Sequence, residues 1–148
     1  MTLHPQIEVK SAGPEEVAGS LKLLEEFLRG GDPVPLPLTE QLKGAIERGD
    51  LEVLVARRGW IVGIAVVTYR PSVSSGRLFA SIEDLCVKPE ARHRGVGGAL
   101  VKAIGERCKE RSVSYIEVQT DDEAAGFYQA VGYELEPEVR VLSRSYAL

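Results

Sequence analysis

Cysteine, histidine and tryptophan are scarce in this chain of 148 residues, which carries two, two and one of them. Cys86 and Cys108 do not make a Cys-x-x-Cys pair, and His4 and His93 add no ligand spacing, so neither a metal site nor a disulfide framework is expected. No apolar run approaches bilayer-spanning length, and residues 1–6 have neither a charged leader nor an apolar core. A reducing cytoplasm is the expected setting, with no membrane partner. Positive charge is also wanting: 18 Lys and Arg against 22 Asp and Glu leave a formal charge of −4. A general nucleic-acid binder needs a basic face, so that class is not expected. The mild acidity suits a cationic substrate, although solubility alone accounts for it. No linker, low-complexity tract or repeat divides the chain, and one domain over residues 1–148 is expected, large enough to bury a core without cross-links.

What is present reads as alternating strands and helices. Residues 7–10 suit a first strand. Pro14, Glu15 and Glu16 then open a helix where unpaired N–H groups and the helix dipole favour them, with Val17, Leu21, Leu24 and Leu28 on one face. The prolines at 33, 35 and 37 hold the chain extended, and Thr39 is expected to cap a short helix that stops at Gly49. Residues 51–56 and 60–69 read as a hairpin turning at Arg58 and Gly59, and residues 78–87 as a third strand. After a helix carrying Leu100, Val101, Ile104 and Cys108 comes a strand at 113–119, which the crossover rule makes parallel to the third. A helix over 121–130 follows, and residues 133–135 and 139–145 are expected to close the sheet. The fold class is α/β, with a mixed sheet of about six or seven strands and about four flanking helices.

The most informative stretch is residues 82–100. It joins an apolar strand, a break at Lys88 and Pro89, the basic glycine loop Arg92-His93-Arg94-Gly95-Val96-Gly97-Gly98, and a helix from about Gly98. Such a loop presents unpaired backbone N–H groups at the positive end of a helix and suits a pyrophosphate. A P-loop needs Lys-Ser/Thr after its last glycine, where this chain has Ala99 and Leu100. A dinucleotide fingerprint needs a small residue where Leu100 stands and a turn directly off the strand. The loop resembles instead the Arg/Gln-x-x-Gly-x-Gly/Ala loop of the Gcn5-related N-acetyltransferases. Downstream, Asp121, Ala124, Tyr128 and the pair Gly132-Tyr133 resemble that family's Asn-x-x-Ala-x-x-x-Tyr and Gly-aromatic motifs. The second half of the chain carries this resemblance throughout, and the first half shares the order of elements.

The resemblance implies acetyl-coenzyme A as co-substrate, with no metal. It places the pyrophosphate over Arg92 to Gly98, and the thioester carbonyl and pantetheine arm on the backbone amides of Leu85 and Val87. It makes Tyr128 the acid that protonates the departing sulfur; a core aromatic is the bland alternative, although Phe127 suits that packing role better. Glu83 matches the glutamate that serves as base or as anion for a cationic acceptor, and an ion pair with a neighbouring arginine is its structural alternative. By alternation Glu83 shares a face with Leu85 and Val87, and Asp84, the weaker candidate, points the other way. Asp121 stands where the family has an asparagine bonding the pantetheine. A carboxylate cannot donate that bond, and a helix cap is the alternative role.

Residues 31–48 are then expected to shape acceptor choice, or else to form a rigid surface connection. The implied activity is acetyl transfer to a primary amine, of a small cationic molecule or a peptide, directly within a ternary complex. An acetyl-cysteine route through Cys86 is disfavoured because nothing cationic is placed to lower its pKa. A coenzyme A-binding sensor without turnover is the main alternative, and a protein-interaction domain with a vestigial loop the other. In many members of the family the last strand pairs with a second subunit, so a homodimer is an expected assembly.

Overall fold

The apolar runs become β1 (Glu8–Ser11), β2 (Leu51–Arg58), β3 (Trp60–Ser72), β4 (Arg77–Val87) and β5 (Tyr115–Val118). The computed structural model describes residues 6–147 and joins these strands into one sheet in the order β1-β2-β3-β4-β5. Residues 1–5, His4 among them, and Leu148 lie outside the described residues. The first three pairings are antiparallel, and β4 with β5 is parallel, as a crossover through a helix requires.

Five strands replace the six or seven expected. Residues 133–135 and 139–145 have no ladder partner among the described residues. Their composition marks them as fit for a strand, but pairing also requires a neighbouring edge at the right place. Tyr133 instead donates its N–H to the Tyr128 carbonyl at 3.0 Å, and its ring packs on the core.

Before β2, a 3-10 turn at Pro14–Glu16 leads into α1 (Val17–Ser20) and α2 (Lys22–Leu28). Val17, Leu21 and Leu24 are buried as expected, whereas Leu28, at the end of its helix, is exposed. The next helix, α3 (Leu36–Arg48), starts earlier than the prolines suggested. Pro35 is its N-cap and Pro37 lies in the first turn, where a missing N–H costs no intrahelical bond. Thr39 is therefore inside the helix, and its Oγ1 reaches back to the Pro35 carbonyl at 3.4 Å.

After β4 come α4 (Val96–Glu110) and, beyond β5, α5 (Asp122–Ala130). Helices cover both faces. Leu100, Ile104 and Tyr128 pack with Val67, Ala80 and Ile82 on one face, and Val17, Leu23 and Leu24 pack with Val53, Ile64 and Cys86 on the other. Because β2 and β3 are covered twice, they read as nearly continuous apolar runs.

Two features escaped the sequence. A Cβ on Gly63 would stand 2.8 Å from Val96 Cγ1 and 3.1 Å from Leu100 Cδ1, so this glycine lets α4 lie close on β3. Glu52 is buried yet fully engaged: it accepts from Tyr69 Oη at 2.6 Å, Ser11 Oγ at 2.8 Å and Arg107 Nε at 2.9 Å, and pairs with Arg111 at 3.2 Å. The Arg111 guanidinium also stacks 3.9 Å from the Tyr69 ring centroid.

Candidate active site

The middle of β4 is irregular. Val66 pairs with Asp84 and Val67 with Ile82, which leaves Glu83 as an extra residue, a β-bulge. The bulge shifts the alternation. Ala80 and Ile82 before it, and Leu85 and Val87 after it, all turn to the α4 face. Asp84, opposite Val66, falls on the face of Cys86 and α1 to α3. Glu83 faces the same way, since its Oε1 accepts from Thr68 Oγ1 at 2.7 Å, and Thr68 stands opposite Ser81 on that face. Strict alternation had separated Glu83 from Asp84; the bulge brings both carboxylates to one side.

The bulge also ends the parallel ladder. Pairing of β4 with β5 runs from Phe79–Tyr115 to Ile82–Val118 and stops there. Lys88 donates its N–H to the Val62 carbonyl at 2.8 Å, and N–H directions alternate along a strand. The amides of Leu85 and Val87 therefore point away from β3, into the gap where β5 has left.

At the end of β4 a 3-10 turn, Pro89–Ala91, leads to the glycine loop. His93 and Gly95 adopt positive φ values of 61° and 86°, and α4 starts at Val96, two residues before the expected Gly98. The first intrahelical bond runs from Ala99 N–H to the Gly95 carbonyl at 3.0 Å, so the N–H groups of Val96, Gly97 and Gly98 have no intrahelical acceptor, and no side chain caps them. The glycines serve different ends. A Cβ on Gly97 would meet Phe127 Cζ at 3.1 Å, whereas one on Gly98 would meet nothing within 4 Å. Gly97 thus allows α5 to approach, and Gly98 leaves open ground over the helix start. Arg92, His93 and Arg94 are exposed beside it, with Arg92 Nε donating to the Val87 carbonyl at 3.2 Å. These groups fit an extended anionic ligand lying along the β4 edge with its phosphates on the loop.

On α5 the Tyr128 ring is buried against Phe127, with centroids 5.0 Å apart, and Tyr133, at 5.6 Å. Its hydroxyl has no hydrogen-bond partner among the described residues, and burial pushes its pKa up, so it is protonated at neutral pH. Asp121 caps α5, accepting from the Ala124 N–H at 2.8 Å. Burial raises the Cys86 thiol; Arg92, a cation unforeseen in the sequence, pulls the other way but is outweighed.

On the opposite face of the sheet, where β4 and β5 part, lies a cleft of about 320 Å3 lined by Arg70, Ser81, Ile82, Glu83, Glu117 and Gln119. Arg70 is ion-paired with Glu117 and lies 5.7 Å from the Phe79 ring centroid. Arg70 and Glu117 were missed because they come from separate strands, and only the register Thr68–Ser81–Glu117 makes them neighbours. No group of three or more metal-ligating side chains occurs among the described residues, and none of their helices is long and apolar enough to cross a membrane.

A mixed sheet parted beside a bulge, with an uncapped helix N-terminus at the head of the gap, is the arrangement that β4, β5 and α4 make here. The family model for the acetyltransferase (GNAT) domain matches residues 49–135, and the chain belongs to that family. Over 59 residues it is 36% identical to "GCN5-related N-acetyltransferase 2, chloroplastic" of Arabidopsis thaliana, a match covering 40% of this chain and 23% of that protein. An aminoglycoside acetyltransferase from an uncultured soil metagenomic sample, crystallised with trehalose, shares the fold with a TM-score of 0.80, 22% identity and 96% of each chain covered. A transcriptional regulator of Bacillus halodurans C-125 superposes with a TM-score of 0.79 at 26% identity, covering 95% of this chain and all 100% of that one.

Proposed function

We propose that this protein is an N-acetyltransferase that moves the acetyl group of acetyl-coenzyme A directly to a primary amine, of a small cationic molecule or a peptide, in a ternary complex. The observation that carries this reading is the coincidence, at one end of β4, of the strand gap with the uncapped start of α4. When bound, acetyl-coenzyme A would supply a thioester activated for attack by an amine.

The protein's own groups then divide the work. The amides of Val96, Gly97 and Gly98, with Arg92, His93 and Arg94, hold the pyrophosphate. The amides of Leu85 and Val87 bond the pantetheine arm and stabilise negative charge on the acetyl oxygen, as preorganised donors do best. Tyr128 gives its proton to the departing sulfur. Asp121 spends one oxygen on its cap and can only accept with the other, so the bond that an asparagine amide would donate to pantetheine is lost. Glu83, across the sheet, meets the acceptor's positive charge. Residues 31–48 border that side and tune which acceptor enters. The cytoplasm supplies both substrates.

The described C-terminal segment supports a homodimer. Val139, Val141 and Leu142 are 62%, 67% and 89% exposed, and the outer edge of β5 has no partner strand among the described residues. Laying this segment of one copy on the β5 edge of another would answer both.

Calorimetric titration with acetyl-coenzyme A, followed by thiol release against polyamines, aminoglycosides, lysine and peptide N-termini, tests the reading. Micromolar binding with release on one amine class is expected. Binding without release on any amine would mean a coenzyme A-sensing module instead, the class to which a regulator-like neighbour draws attention. Absence of binding would discard the phosphate assignment.

A further inference from the structure

The carboxylates that the bulge turns to one face are not equivalent. Glu83 is tied down: Thr68 donates to it at 2.7 Å, and it lines the cleft with Ser81, Glu117, Gln119 and Arg70. Asp84 is exposed on the same face, its carboxylate has no hydrogen-bond partner among the described residues, and it directly precedes Leu85, whose amide faces the strand gap. A carboxylate held by a hydrogen bond has a fixed orientation that suits an anchor; an unengaged carboxylate keeps its lone pairs for an incoming proton.

We propose that Asp84 is the catalytic base that takes a proton from the acceptor ammonium, and that Glu83, held in place by Thr68, is the anchor that meets the acceptor's positive charge. This assignment rests on the acetyl-transfer reaction proposed above. The ammonium gives one proton to the Asp84 carboxylate, and the freed lone pair forms the C–N bond. As the C–S bond breaks, the sulfur leaves with the proton of Tyr128. The second amine proton passes through water to restore Tyr128, and Asp84 releases its proton to water, so one proton is produced per acetyl group transferred.

The surroundings favour this division. Although Asp84 is exposed, partial loss of water around its carboxylate, and then the negative charge of Glu83, push its pKa up and make it a stronger base than a free aspartate. Glu26 of α2 and Arg92 bear on Cys86, two residues further along, and the charged groups of the adjoining cleft are Arg70, Glu83 and Glu117.

The test compares Asp84→Asn and Glu83→Gln through the pH dependence of kcat/KM on the best acceptor of the amine panel. Asp84→Asn should lower kcat by about 10²-fold, flatten the acid limb, leave acetyl-coenzyme A affinity unchanged and melt as wild type does, because the side chain it changes is exposed and unpaired among the described residues. Glu83→Gln should raise the acceptor KM and move the acid limb to lower pH, since Asp84 loses its like-charged neighbour. The reverse pattern, with the limb lost in Glu83→Gln and retained in Asp84→Asn, would overturn the assignment. Wild-type release that Asp84→Asn leaves intact discards Asp84 alone. No wild-type release on any amine discards the transfer reaction and this assignment with it.

Discussion

At the scale of single residues, what matters is the company each side chain keeps. Tyr128 combines a buried ring with an unengaged hydroxyl, a combination suited to proton donation and wasteful for packing alone. Tyr128→Phe should lower turnover by about 10²-fold or more and leave the acetyl-coenzyme A dissociation constant unchanged by calorimetry. Equal turnover in the variant would remove Tyr128 from the acid role. Because burial raises its pKa, the proton is lost only above the ordinary tyrosine range, so the alkaline limb assigned to this group should lie there too. The motif gave this residue by its offset from the glycine loop; nothing in the sequence showed that its hydroxyl would be left unpaired. Asp121 is the opposite case, a residue whose capping role follows from local geometry and was readable before any fold was known.

At the scale of elements, the site depends on how closely α4 can approach the sheet. Gly63→Ala would press a methyl group on Val96, Leu100 and the Cys86 carbonyl, with Cβ distances of 2.8, 3.1 and 3.3 Å. The expected cost is about 1–3 kcal/mol by denaturant unfolding, with weaker acetyl-coenzyme A binding because the start of α4 is displaced. Gly98→Glu separates these effects. Its side chain enters open space, so stability should hold while affinity falls about tenfold or more, the carboxylate repelling the pyrophosphate at a helix N-terminus. Unchanged affinity would refute the phosphate assignment. Gly97→Glu is less informative, since a Cβ there already crowds Phe127. The glycine loop was legible because its spacing is local; Gly63 was not, because its constraint comes from a helix more than thirty residues later.

At the scale of the whole molecule, Glu52 ties β1, β2, β3 and the far end of α4 together. Burial alone would raise its pKa, but hydrogen bonds from Arg107, Tyr69 and Ser11 outweigh it and hold the carboxyl below its ordinary range. A depressed acid pKa stabilises the fold above the unfolded-state value, and this contribution is lost as pH falls through the native one. Wild-type unfolding free energy should therefore drop between neutral pH and about pH 3, and Glu52→Gln should flatten part of that slope. Glu52→Ala should cost about 3 kcal/mol at neutral pH, the lower end of the range for a broken buried pair, because Arg107 and Arg111 can still reach water. The proposed dimer gives a further prediction: sedimentation should show two copies for the full chain and one after removal of residues 138–148. A monomeric full chain would leave the exposed C-terminal valines without that role.

By itself the sequence determined the α/β class, the order of strands and helices, the parallel crossover and the glycine loop that opens α4. Those depend on periodicity, proline and glycine placement, and spacing within about twenty residues. Only the tertiary structure decided which face Glu83 and Asp84 share, where β5 parts from β4, and that Arg70, Glu52 and Gly63 matter. A bulge inverts every alternation beyond it, and a register joins residues far apart in the chain; both are set by packing between strands, which no single segment records.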